Sequence, residues 1–234
     1  MILSVQRKFI FLKTTKTAGT SFEIALSKYA SPEDTLTPIT PEDEDTRRAL
    51  GYAGPQNYLA SPGLLQKLGL RRPKPKMKFY NHVPASVIRR NLGYAVFESY
   101  LKLAVVRNPF DMVVSSYFWE HRNEPRLSDA HFREWLLSRP KSLYENYKIT
   151  HIDGVSMLDL VIRFEQFEED VGNFARRVGL PETLYEEFKA IKAKGGSRPK
   201  WATTHEMFKS FDGGKNVVAE LFAKDLATYG YDCP

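Results

Sequence analysis

The sequence predicts an α/β domain with a central, mainly parallel sheet flanked by helices, and three observations predict it. Apolar runs at 9–12, 101–106 and 158–162 read as strands buried on both faces. Each run empties into a turn carrying charged or hydroxyl side chains, and each turn empties into a segment with helical apolar spacing. Strand-then-helix units in succession bring parallel strands together with helices on both sides.

Composition is consistent with one packed unit spanning 1–234. Of 234 residues 42% are hydrophobic and 26% charged, with 14 Gly and 14 Pro, which excludes a mostly disordered chain. The net charge of +6, from 34 Lys plus Arg against 28 Asp plus Glu, suits an anionic ligand without choosing one. Cys233 is the only cysteine, so an intrachain disulfide and a Cys-based zinc site are excluded. No apolar run approaches membrane-spanning length, and the first strand is expected by about residue 8, leaving no room for a signal peptide. The expectation is a cytoplasmic protein.

The first unit occupies 9–25. Ile10, Phe11 and Leu12 are consecutive and apolar; the stretch 14–21 is rich in Thr and Ser and holds Lys16 and Gly19; Phe22, Ile24, Ala25 and Leu26 then resume at helical spacing, with Ser21 or Thr20 as the expected N-cap. A helix N-terminus offers unpaired backbone N–H groups and the positive end of a dipole, so a phosphate or sulfate fits this turn. The order of residues departs from the nucleoside triphosphatase loop GxxxxGK[ST], because Lys16 precedes Gly19 and no glycine stands upstream.

After a first helix ending near residue 29, an insertion at 31–76 carries seven prolines, with short helices expected at 41–50 and 63–68. It holds an acidic run at 42–45, and a basic run at 71–78 overlaps its end. Each run is ordinarily a solvated face. The basic one would also serve as a lip for an acidic acceptor; without interleaved aromatics it does not favour nucleic acid. A short strand is expected at 78–80, then Asn81, His82, Val83 and Pro84, then a helix at 85–91 stopped by Gly93. That places His82 at a strand end, where open α/β sheets bind ligands.

The strand at 101–106 runs into Arg107, Asn108, Pro109 and Phe110 before a helix at 111–121 that contains Ser115. A guanidinium at a strand end and a hydroxyl two turns into the next helix can hold one anion between them. A helix is expected at 129–138, the third strand leads to a helix at 167–178, and a last amphipathic helix covers 217–229. Glu23, Glu165 and Asp170 read as structural acids. His121 and His131, ten positions apart, have no partners at helical register, so no metal site is expected.

Taken together, the segments KTAGTS, VVRNPFDMVVSSYFW, RFEQFEED and AELFAKDLATYGYD resemble the sulfotransferase superfamily that uses 3′-phosphoadenosine 5′-phosphosulfate, most closely its carbohydrate-sulfating branch. The resemblance spans most of the chain and is thinnest over 31–76. It implies a single P-loop-like domain in which 31–76 lies over the acceptor site. Lys16, Thr17, Ala18, Gly19, Thr20 and Ser21 would hold the 5′-phosphosulfate, with Lys16 on the bridging oxygen of the leaving group. Arg107 and Ser115 would hold the 3′-phosphate; this chain has Asn108 where the family commonly has Asp, and Ala18 where many members have a second Gly. His82 occupies the place of the family's general base. The segment 195–211 is similar to the family's donor-closing loop, with Arg198 or Lys200 reaching a phosphate and Trp201 lying against the adenine. The resemblance implies an acceptor hydroxyl on a sugar or glycan, adenosine 3′,5′-bisphosphate as product and no required metal. Two other classes stay open: a P-loop kinase or nucleoside triphosphatase using ATP and magnesium, and a nucleotide-binding module without catalysis.

Overall fold

The computed structural model describes residues 1–60, 76–124, 128–191 and 198–234. The expected helix at 63–68, most of the basic run at 71–78 and residues 195–197 lie outside the described residues.

The strands are β1 (Ile2–Ser4), β2 (Phe9–Phe11), β3 (Thr35–Leu36), β4 (Leu101–Val106), β5 (His151–Ile152), β6 (Val155–Ser156) and β7 (Leu160–Arg163). Five of them form one sheet in the order β3-β1-β2-β4-β7, and β5 and β6 form a separate hairpin. β2, β4 and β7 run parallel, with Phe11 opposite Leu103 and Val106 opposite Arg163. β1 is antiparallel to both β2 and β3. The sheet is therefore mixed rather than mainly parallel. The parallel half is the expected one; the antiparallel half comes from a three-residue strand at the very start of the sequence, too short to show a period, and from an edge strand contributed by the 31–76 segment.

The helices are α1 (Gly19–Ser27), α2 (Pro41–Ala49), α3 (Ala85–Leu92), α4 (Tyr94–Ser99), α5 (Pro109–Glu120), α6 (Asp129–Leu137), α7 (Glu145–Thr150), α8 (Phe167–Val178), α9 (Leu184–Ala190), α10 (Thr204–Phe208), α11 (Asp212–Leu221) and α12 (Ala223–Tyr229). Among the described residues no helix is long and apolar enough to cross a membrane.

Strand alternation divides the core. Phe9, Phe11, Leu103 and Val105 point to one face, where they meet Phe22 and Ile24 of α1 and Val171 and Phe174 of α8. Ile10, Leu12 and Ala104 point to the other, packing with Ile88 of α3 and Phe97 of α4. A third cluster surrounds α5, where Phe110, Val113, Val114 and Tyr117 pack with Phe132 and Leu136 of α6 and Met207 and Phe208 of α10.

Three expectations fail locally. Residues 78–80 form no strand, because the amides of both Lys78 and Phe79 converge on the carbonyl of Tyr58, at 2.8 and 3.0 Å, and Phe79 alone plugs the core. His82 thus stands in a turn before α3, not at a strand end. The N-cap of α1 is Ala18, in the left-handed region at φ 61°, so Thr20 and Ser21 are the helix's second and third residues. The tail is two helices, because Phe222 leaves helical geometry to bury its ring.

Candidate functional site

The carboxyl ends of β2, β4 and β7 open onto one cavity of about 360 Å³. The loop after β2 and the start of α1 contribute Thr14, Thr15, Lys16, Ala18, Gly19, Thr20 and Ser21; other elements add His82, Arg107, Ser115, Trp119, Glu145 and Phe164. This edge of a parallel sheet is where α/β folds place ligands.

Local chemistry shapes the loop. Lys16 and Ala18 both adopt positive φ, 61° each, a conformation that costs a non-glycine residue roughly 1–2 kcal/mol. His82, with φ 57°, is a third such residue on the cavity wall. Gly19 sits in a tight place, since a Cβ there would stand 3.3 Å from both the Lys13 Cγ and the Thr14 carbonyl oxygen. Phe22 makes the first backbone bond into the helix, to the Ala18 carbonyl at 3.3 Å, so the amides of Gly19, Thr20 and Ser21 lie in the first turn, the end suited to an anion.

The loop is held from three sides. Thr14 donates its hydroxyl to the Val105 carbonyl at 2.6 Å, so it accepts the Thr17 hydroxyl proton at 2.8 Å. Thr17 is therefore turned inward and does not line the cavity. Asn146 of α7 accepts from the Thr15 amide (2.7 Å) and hydroxyl (3.0 Å) and donates to the Thr15 carbonyl (3.1 Å). Arg107 donates to the Lys16 carbonyl at 2.9 Å.

Arg107 also grips Asp111, with Nε 2.6 Å from Oδ2, and its guanidinium lies 4.3 Å from the Phe164 ring centre. Asp111 accepts from Arg198 and from the Thr204 hydroxyl, each at 2.5 Å. Burial alone would raise the Asp111 carboxyl, but Arg107, Thr204 and Arg198 together hold it below the usual carboxylate range. Arg198 from the late segment is thereby joined to Arg107 through one shared carboxylate.

Ser115, Ser116, Trp119 and Glu120 share one face of α5 and line the cavity. The Lys16 ammonium sits 4.2 Å from the centre of the Trp119 ring. Across from it, His82 Nδ1 lies 3.0 Å from the Lys13 carbonyl; a carbonyl only accepts, so Nδ1 carries the proton and Nε2 holds the lone pair. Burial, aided by the Lys13 charge, pulls His82 down from its ordinary 6.5 to about 4.

The structure thus brings Lys16, Ala18, Gly19, Thr20, Ser21, Arg107, Ser115 and His82 to one cavity, with Arg198 behind Arg107. Lys200 and Trp201 do not line it: Lys200 is exposed, and Trp201 packs edge-on against Phe118 at 6.1 Å. Among the described residues of 31–76, none lines the cavity; they form β3 at the far sheet edge and α2. Sequence reasoning missed Asn146, because its partner Thr15 is 131 positions away. It also left His121 and His131 without partners, whereas the fold brings ligand atoms of both, with one from Glu124, within 4.8 Å of one another.

The three acids read as structural are so. Asp170 pairs with the Arg163 guanidinium through two bonds, at 2.8 and 2.7 Å, and Glu165 accepts from the Asn108 amide and the Tyr231 hydroxyl. Fully buried Glu23 lies 2.7 Å from the Lys13 ammonium and 2.8 Å from the Met1 amine, with Arg47 of α2 at 3.8 Å.

Fold and site together define an α/β protein with a cationic, hydroxyl-lined cavity at the carboxyl ends of its parallel strands. The chain belongs to the same family as an uncharacterized protein of Archaeoglobus fulgidus: the two are 30% identical over 114 residues, which is 44% of this chain and 87% of that protein. No family model matches the chain, and no solved structure matches it.

Proposed function

We propose that the chain is a P-loop-like sulfotransferase, moving a sulfuryl group from 3′-phosphoadenosine 5′-phosphosulfate to an acceptor hydroxyl on a carbohydrate. The observation that carries this reading is convergence: Lys16, His82, Arg107 and Ser115, spread over a hundred positions, line one cavity. The donor supplies an activated sulfuryl group whose departure leaves a phosphate. The first turn of α1 and the Lys16 ammonium suit that developing charge, the electrostatic role that commonly dominates transfer chemistry. Arg107 retains donors beyond those given to Asp111 and Lys16, and with Ser115 it suits a second phosphate.

His82 takes the acceptor proton at Nε2, with its Nδ1–H fixed by the Lys13 carbonyl. A base near 4 is weak; an anion bound beside it favours the imidazolium and raises it. Magnesium-dependent phosphoryl transfer is disfavoured by Thr17, whose hydroxyl, the usual metal-binding group after a loop lysine, is donated to Thr14. Trp119, on the cavity wall, suits stacking on a sugar.

The test incubates the protein with donor and a panel of glycans, phenols and lipid alcohols and looks by mass spectrometry for one added sulfuryl group. Sulfation of a glycan by the native chain, lost in His82→Ala with bisphosphate binding retained, supports the reading. Normal turnover by His82→Ala would overturn the role of His82, and no sulfated product across the panel would overturn the reaction.

A further inference from the structure

We infer that His121, Glu124 and His131 form a binding site for a first-row divalent transition metal ion at the C-terminal end of α5. This does not rest on the proposed sulfotransfer.

His121 follows the last residue of α5 and His131 lies in the first turn of α6, so the ligands come from two elements. One ligand atom from each residue lies within 4.8 Å of the other two. The two imidazoles stand 4.8 Å apart, centre to centre, at 87°. Ligand atoms bonded to one ion at 2.0–2.1 Å in a tetrahedron stand about 3.4 Å apart, so modest side-chain rotations close the site. Glu124 is exposed and has room to make the largest one.

A second observation makes this more than proximity. Metal-bound histidines characteristically have the other ring nitrogen fixed by a hydrogen bond. His121 Nδ1 is 2.8 Å from the Tyr117 carbonyl, so it carries the proton and leaves the Nε2 lone pair 3.9 Å from Glu124 Oε1. The hydroxyl of the same Tyr117 lies 3.0 Å from His131 Nδ1, so one buried residue orients both rings. Trp135 packs beside the His121 ring, giving the site an apolar wall.

Two imidazole nitrogens and one carboxylate oxygen select zinc, cobalt or nickel over magnesium or calcium, which prefer oxygen ligands. Three protein ligands leave at least one position to water. A bound ion ties the end of α5, whose last two turns carry Ser115, Ser116, Trp119 and Glu120 on the cavity, to the start of α6.

The test is titration of chelator-treated full chain with cobalt chloride, followed by visible absorption, then displacement by zinc chloride. One equivalent of cobalt producing ligand-field bands, abolished in His131→Gln and weakened at least about tenfold in Glu124→Gln, supports the site. Glu124 is exposed, so that variant keeps the fold, and circular dichroism checks both. Absence of stoichiometric binding in the native chain, or equal affinity in both folded variants, would overturn it. A His205→Gln chain must bind like the native one; loss of binding there would also overturn the assignment.

Discussion

Two lysines in one loop, three positions apart, meet opposite fates. Lys13 is 1% exposed and lies against Glu23 at 2.7 Å, in a buried cluster with Arg47 and the Met1 amine. Lys16 takes a left-handed backbone, lines the cavity and places its ammonium over Trp119. Lys13 shares the Glu23 carboxylate with the Met1 amine and Arg47 and joins α1 to the loop. Lys16 faces a cavity also lined by Arg107, where incoming negative charge is favoured. The two lysines thus differ in burial, one enclosed beside Glu23 and the other on the cavity wall, a difference that neither residue type nor local sequence reveals.

The largest effect should come from breaking the buried side of this comparison. Glu23→Ala leaves Lys13 and the Met1 amine buried without their carboxylate and should destabilise the fold by about 3–5 kcal/mol, read by urea denaturation. Lys16→Ala should leave the urea midpoint nearly unchanged while lowering turnover on any identified acceptor by roughly 10²–10³-fold. Similar losses of stability in the two variants would erase the distinction.

The pH dependence sharpens it further. His82 is pulled from 6.5 to about 4 in the folded chain, so between those values the unfolded chain binds the proton more readily. Its stabilising contribution is complete above 6.5 and is lost as pH falls towards 4, an effect of up to roughly 3 kcal/mol. Glu23 has the depressed carboxylate expected of its cationic neighbours and contributes stability above its ordinary range, lost on further acidification. His82→Gln should therefore flatten the stability curve between pH 6.5 and 4.5 without removing the steeper loss below it. The smallest effect is at Ala18: Ala18→Gly relieves a left-handed alanine and should raise stability by up to about 1 kcal/mol, read as a small rise in Tm.

Much of the site was legible because its parts are local. An apolar run followed by Lys16 or Arg107 is a strand followed by a charged turn, and parallel neighbours then bring such turns to one edge. Ala18 takes the left-handed conformation that glycine favours, which its residue type does not announce. What stayed hidden depends on contacts between distant residues. β1 is three residues long and gains its identity only by pairing with β2 and β3. Residues 78–80 looked like a strand, but their amides bond to Tyr58. Asn146 reads as one polar residue in a short helix until Thr15 arrives, and His121 and His131 lie on separate elements joined by a connection that the spacing alone does not fold back.

The central claim, that the cavity accepts an adenosine bisphosphate through Lys16 and the strand-end Arg107, is tested most directly by calorimetric titration. Adenosine 3′,5′-bisphosphate, without added metal, should bind the native chain at one equivalent, and Lys16→Ala and Ser115→Ala should each weaken it about tenfold, the loss of roughly one charge-assisted hydrogen bond. No binding of the bisphosphate, alongside stoichiometric binding of ATP with magnesium, would contradict it.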